Sequence, residues 1–316
     1  MVLVQPLHAV TAVCRHRSGR LSFACSARLE KMNIYLLQII NGIGIGMLYF
    51  MMAVGLSIVF GLLGFVNFAH GAFFLLGAYA CYQFALAGLD YWLTLVLAPA
   101  MVGGFAWVIE KAFLHRIYKL PHEFHILLTV GVALVLQEAV ILQWGIVGQN
   151  IAVPEALEGV LILGQFVYPK YRIFVIAFTA VIALMLWCLL DKTRLGSIVR
   201  AGSESTEMVS LLGIHVTRIF SYVFALGGAT AGLAGVLAAP LRGVEPFMGV
   251  EALGIAFVVV VIGGMGSFAG ALASGLLVGV VQSLMSTLWP EGARLMIFVA
   301  MSAVMLLRPN GLFGRT

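Results

Sequence analysis

Uninterrupted apolar runs set the terms for this chain. Leu36 to Phe60, Trp92 to Ile109, Phe124 to Val147, Tyr171 to Leu190 and Ile219 to Ala239 carry almost no charge. Each is near or above the roughly 20 residues that cross a bilayer as a helix. Inside hydrocarbon the backbone must satisfy its own N–H and C=O groups, which leaves helices or closed barrels. Barrel strands alternate polar and apolar residues, and these runs do not. Only 10% of residues are charged, against roughly 25% in soluble domains. The expected fold is all-α, a polytopic membrane helical bundle. A length of 316 residues would alone suggest two domains. No hydrophilic stretch is long enough to fold separately, so residues 32–316 read as one transmembrane domain.

Ala69 to Ala87 adds a span, and Arg294 to Leu307 a short last one. Leu253 to Leu288 is too long for one crossing and is cut at Gly263-Gly264-Met265-Gly266, so the expected count is eight or nine. Gln149 to Lys170 and Leu241 to Glu251 read as loops. Basic residues mark cytoplasmic connectors: Lys111, Arg116 and Lys119 in one, Lys192, Arg194, Arg200 and Arg218 in another. Two spans separate these connectors, so parity agrees. Three spans precede the first, which puts the N-terminus outside, and Arg308 and Arg315 favour nine spans with the C-terminus inside.

Residues 1–31 conflict with that topology. They hold Arg15, Arg17, Arg20, Arg28 and Lys31 against the single acid Glu30. They lack the sustained apolar core of a secretory signal. They read as a basic, disordered extension or as a start codon assigned too far upstream, with Met32 as the true start. The sequence pI of about 9.1 is largely an effect of this tail, and no nucleic-acid partner is expected. Cys81 and Cys188 lie in apolar runs and read as buried small residues, while Cys14 and Cys25 fall in the tail. No zinc spacing is present, and His122 and His125 around Glu123 read as a solvated helix start.

Two glycine-interrupted segments resemble each other. One is Gly64-Phe65-Val66-Asn67-Phe68-Ala69-His70-Gly71-Ala72, the other Gly264-Met265-Gly266-Ser267-Phe268-Ala269-Gly270-Ala271. Paired broken helices in two halves of a transporter point to its substrate path. Broken backbone at membrane depth persists only where protein or a wet cavity satisfies it. Asn67, His70 and Ser267, with the flexible Gly264 and Gly266, are therefore candidates for the translocation path near the membrane midplane. The competing reading is ordinary helix capping, for which Asn67 and Ser267 are well suited. Gly42 and Gly46, Gly228 and Gly232, Gly266 and Gly270, and Gly275 and Gly279 have the four-residue spacing that lets membrane helices approach closely.

Glu138 is the acid well inside an apolar span. A charge there costs about 2.5 kcal/mol or more. It is expected to face the bundle interior and to bond a neighbouring helix, helped by Gln137 or Gln143, rather than to carry protons.

The longest charged segment, Leu190 to Arg218, is amphipathic at its centre. Met208, Leu211, Leu212 and Ile214 alternate at helical spacing with Ser203, Glu204, Glu207 and Ser210. Either this is a surface helix on a solvated loop, or its apolar stripe docks on a partner. Ser203 to Gly213 is expected to form one short helix, with Gly213 turning the chain at positive φ. No metalloprotease, nucleophile-elbow or phosphate-loop motif is present, so no catalytic residues are expected. Any ATP used must be bound by another subunit.

Together these residues resemble the branched-chain amino acid ABC-importer permease family, the LivH type. The resemblance covers Met32 to Gly314. Its most specific pieces are NGIGIGMLYFMMAVGLSIVFGLLGFVNFAHGAF, the coupling loop RLGSIVRAGSESTEMVSLLGI, and VVVIGGMGSFAGALASGLLVGVVQ with the ending RPNGLFGR. The family usually carries an acidic pair in the coupling segment, whereas here Glu204 is followed by Ser205. The resemblance implies an inner-membrane importer of a bacterium, with a second homologous permease subunit, two ATP-binding subunits and an extracytoplasmic solute-binding protein. It implies ATPase contact through Glu204, Glu207, Met208, Leu211, Leu212 and Gly213. This chain would sit in membrane lipid, bind no cofactor itself and carry Leu, Ile or Val. Urea or short amides, and an ion-coupled secondary transporter, remain open alternatives.

Overall fold

The computed structural model describes residues 19–118, 120–163 and 166–314. Its helices are α1 (Gly19–Leu63), α2 (His70–Leu86), α3 (Tyr91–Ile109), α4 (His122–Trp144), α5 (Lys170–Lys192), α6 (Arg194–Glu204), α7 (Thr206–Leu211), α8 (Val216–Arg242), α9 (Met248–Gly263), α10 (Phe268–Leu288) and α11 (Ala293–Leu307). Seven helical segments among the described residues are long and apolar enough to cross a membrane. With the shorter α2, 17 residues, and α9, 16 residues, this is the expected polytopic bundle. The 253–288 stretch is indeed two helices, cut between Gly263 and Phe268. Backbone helix extends from the first span back to Gly19, while residues 1–18 of the expected N-terminal extension lie outside the described residues.

The 149–170 segment is more ordered than a loop. It holds an antiparallel hairpin of β1 (Val160–Leu163) and β2 (Phe166–Pro169), paired Val160 to Pro169 and Leu163 to Phe166. β-branched and aromatic residues on both sides of Gly164-Gln165 carry the signal for it.

α1 and α8 form the middle of the bundle, and α4, α5 and α11 sit with most of their surface turned outward. Small residues determine how closely the central helices approach. Gly42 and Gly46 of α1 face Gly275 and Gly279 of α10. A side chain at Gly42 would lie 2.6 Å from the Val280 backbone, and one at Gly46 would lie 2.7 Å from the Gly275 carbonyl. Gly77 of α2 meets the Gly232 backbone of α8 in the same way. Two of the four-residue glycine pairs are thus one seam, which explains why α1 lies so tightly on α10. A bonded hydroxyl ties the next pair together: Ser274 of α10 donates to the Val259 carbonyl of α9 at 2.7 Å.

One end of the bundle collects the ends of most elements. Leu62, in the last turn of α1, touches Gly202 of α6, Gly61 touches Gly266, and Gly64 faces His122. The C-terminal segment returns to this same end. The N–H groups of Leu312 and Phe313 donate to the Ile262 and Gly263 carbonyls at 2.8 and 3.0 Å. The ending RPNGLFG is therefore a strap over the second glycine break. This end carries both basic connectors and is called the charged face below.

Candidate functional site

The two glycine breaks are neighbours in space. Gly64 (φ 73°) ends α1, and Gly264 (φ 98°) and Gly266 (φ 81°) separate α9 from α10. A side chain at Gly61 would lie 3.1 Å from Gly266 Cα. The first break packs on α4, with Gly64 facing His122 and the Phe68 N–H donating to Thr129 Oγ1 at 3.3 Å. Both breaks lie at the charged-face end of the bundle, where the last turn of α1 also meets Gly202 and Gly266, and not at the mid-height that the sequence reading expects.

The polar residues within the breaks serve the backbone. Ser267 is the N-cap of α10, its Oγ accepting the Gly270 N–H at 3.0 Å. Asn67 is buried, and its Oδ1 accepts the Ala69 N–H at 3.1 Å, closing the turn into α2. His70 is fully buried at the first position of α2. A carbonyl can only accept, so the Nε2–H of His70 donates to the Met52 carbonyl, 2.8 Å away. Its Nδ1 is then a lone pair with no partner within the described residues, an unusual condition for a buried polar atom. His70 ties α2, the helix that follows the first break, to α1 about three turns before its end, where the sequence alone offers only proximity to a glycine.

The charged-face segment differs from the single helix expected over Ser203 to Gly213. It is two helices, α6 and α7, interrupted at Ser205. Ser205 is extended (φ −157°, ψ 106°), and its Oγ accepts the Met208 N–H at 3.2 Å. A serine side chain that caps the next helix competes with continuing the previous one, and this is why an unbroken helix was the wrong expectation. The apolar stripe survives the break. Met208, Leu211 and Leu212 are 65%, 77% and 78% exposed, whereas Val209 is buried against the chain. Glu204 and Glu207 are exposed beside them. Gly213 adopts φ 78° and its N–H donates to the Ser210 carbonyl at 3.0 Å. This left-handed turn sends the chain into α8, as the glycine predicts.

Glu138 requires a correction. It lies on the exposed surface of α4, not in the bundle interior, and no hydrogen bond to Gln137 or Gln143 forms. Apolar residues surround α4 on every side, so the sequence gives no direction to its faces. Among the described residues the buried acid is instead Glu110, which the sequence joins to a basic connector. A π-helical turn, Glu110–Leu114, follows α3, and such a turn rotates the side chains after it. Glu110 is completely buried and its Oε1 accepts the Tyr118 hydroxyl at 2.6 Å. Burial first, and then the Glu110 carboxylate, push the Tyr118 phenol well up from its ordinary value, so it remains a donor. Tyr118 also stacks on His125 and meets Phe220 of α8 edge-on, linking α3, α4 and α8 at the charged face.

Comparison with known proteins follows the same outline. The family model described as branched-chain amino acid transport system, permease component, matches residues 38–307. The permease protein LivH of the high-affinity branched-chain amino acid transport system of Salmonella typhimurium is 31% identical, over 90% of this chain and 97% of its own length. BraD of Pseudomonas aeruginosa, named for the same kind of system, is 31% identical over 89% of this chain and 96% of its own. LivM of Escherichia coli K12 is 26% identical over 85% of this chain and 68% of its own. No solved structure matches the chain. The family model spans the bundle from the middle of α1 to the end of α11, and the chain therefore belongs to the permease components of branched-chain amino acid transport systems.

Proposed function

We propose that this chain is one of two permease subunits of an ATP-driven importer for Leu, Ile and Val in the inner membrane of a bacterium. A solute-binding protein delivers substrate from outside, two ATPase subunits dock on the charged face, and the chain itself binds no nucleotide. The observation that carries this reading is the face of α7. Three large apolar side chains, Met208, Leu211 and Leu212, stand exposed among polar residues at helical spacing. An exposed apolar cluster of this kind is expected to be covered by a partner. The contact between Gly202 and Leu62 supplies a route inward. Motion of α6 and α7 on an ATPase would press on the last turn of α1, directly before the Gly64 break. The outward-facing Glu138 fits burial against the second permease subunit, where a membrane acid would gain polar neighbours.

Uptake into proteoliposomes tests the reading. With both permeases, both ATPases and the binding protein, labelled leucine is expected to accumulate only with ATP and binding protein. Uptake driven by an imposed proton or sodium gradient would instead favour the secondary transporter, and ATP-driven uptake confined to urea or amides would overturn the substrate class.

The glycine breaks belong to the path on this reading. Asn67 is buried in the present conformation, so access must come from another state. Cysteine at Asn67 is expected to react with a small aqueous thiol reagent in one nucleotide state of the assembled importer. Protection in every state would reduce Asn67 and Ser267 to helix caps.

A further inference from the structure

A cavity of about 240 Å³ opens among α1, α5, α8 and α9. It lies at the other end of the bundle from the coupling helices. Asn41 at its rim precedes the end of α1 by 22 residues, about 33 Å of helix at 1.5 Å per residue. Its walls are apolar, with Ile45 and Leu48 from α1, Val175 from α5 and Ile255 from α9. Its polar lining comes from Asn41, Tyr49, Arg172 and Arg242.

Those two guanidiniums are poorly neutralised. Arg172 donates to Asn41 Oδ1 at 2.6 Å, and among the described residues no carboxylate lies within ion-pair distance of it. Arg242 stands 3.8 Å from Glu251, but Glu251 is also 3.4 Å from Arg294. Arg242 thus shares its one carboxylate with Arg294, and Arg172 has none among the described residues. An apolar chamber with an under-neutralised arginine at its rim suits a small amphipathic molecule carrying a carboxylate. The guanidinium fork matches a carboxylate in two parallel hydrogen bonds. The size agrees as well: the cavity is smaller than the roughly 300–1,000 Å³ of pockets that hold drug-sized ligands.

We propose that this cavity is a substrate site within the permease, taking the aliphatic side chain of an amino acid between Ile45, Leu48, Val175 and Ile255 and its carboxylate on Arg172. This rests on the importer reading above and adds to it. The binding protein would not hand its cargo into an empty channel, because the permease would read the same two features, an apolar body and a carboxylate.

The test uses the assembled importer in lipid nanodiscs, without binding protein or ATP, and L-leucine against L-leucinamide. The two share the aliphatic body and differ in the carboxylate. Millimolar leucine is expected to raise the unfolding midpoint, as any ligand that binds only the folded state does, and leucinamide is not. Arg172→Gln is expected to erase the leucine effect and to lower ATP-driven leucine uptake about tenfold or more, the scale of a lost charge-assisted contact. ATP hydrolysis stimulated by the binding protein should persist. Arg172→Lys should retain part of both. Should Arg172→Gln fail to fold, Ile45→Ala serves as the second variant. It removes part of the apolar wall of the cavity and is expected to weaken the leucine effect. Equal stabilisation by leucine and leucinamide, or an Arg172→Gln importer with unchanged leucine stabilisation and uptake, would overturn the proposal and leave the importer reading standing. A wild-type importer that moves no aliphatic amino acid would overturn both.

Discussion

Leu212→Asp is expected to give a normally inserted permease that no longer holds its ATPase subunits. Leu212 is 78% exposed at the end of α7, so the substitution removes no packing from the bundle itself. Its whole effect falls on whatever covers the α7 face. A carboxylate pressed into an apolar groove without a partner costs several kcal/mol, and each 1.4 kcal/mol is a factor of ten in affinity. Co-purification of the ATPases should therefore fall by about a hundredfold or more, and binding-protein-stimulated hydrolysis with it. Ser210→Lys, at an exposed position on the same helix but outside the apolar stripe, serves as the comparison and should have little effect. Co-purification assay and hydrolysis rate on the same preparations decide the matter. Normal assembly of Leu212→Asp would make α7 a solvated connector and remove the structural support for ATPase docking.

The sequence was most readable where a residue type has one physical use. Glycines four apart can do little in a membrane helix except admit another backbone, and Gly42, Gly46, Gly275 and Gly279 do so. Gly213 had to turn the chain at positive φ, and it does. The cut at Gly263 to Gly266 followed from helix length against bilayer thickness. Readability failed where the deciding contact comes from elsewhere in the chain. The cost of charge in hydrocarbon points Glu138 toward cover of some kind, and that cover need not be this chain. Glu110 was hidden by a change of helical register that no periodicity rule anticipates. Ser205 carries a capping signal that also fits a helix surface, and only its extended backbone distinguishes them. The cavity beside Arg172 draws on α1, α5, α8 and α9 together, positions spread from Asn41 to Ile255, and nothing in their spacing brings them into one site. Asn67 and Ser267 occupy a middle position. Their cap chemistry was legible and is present, while any role in the path depends on a conformation other than this one.

Gly279→Val is expected to abolish the folded permease. A Cβ at Gly279 would fall against the Gly42 carbonyl and the Gly46 backbone, reaching 2.5 Å from Gly46 Cα. These are backbone atoms inside α1, so no side-chain rotation relieves the contact. Either α10 moves away from α1, or both helices distort. Separation opens the seam along its length, because Gly275 packs on Phe50 and Gly46 in the same row. It also breaks the bonds of Ser283 to Gln38 and of Tyr49 to Gln282. Overpacking of a tight core costs about 1–3 kcal/mol and sometimes more. Here the rigid backbone on both sides places the effect at or above about 3 kcal/mol, a large share of the stability of a typical domain. Gly131→Ala is the contrasting change. A Cβ there meets nothing within 4 Å, and alanine favours the helical state by about 1 kcal/mol over glycine, so expression and melting should be unchanged or slightly improved. Measuring the folded fraction of both variants in detergent, by size-exclusion profile and thermal melt, separates a general intolerance of glycine replacement from a requirement for close approach at this seam. A Gly279→Val permease with a wild-type melt would mean that α1 and α10 do not pack through these glycines in the assembled protein.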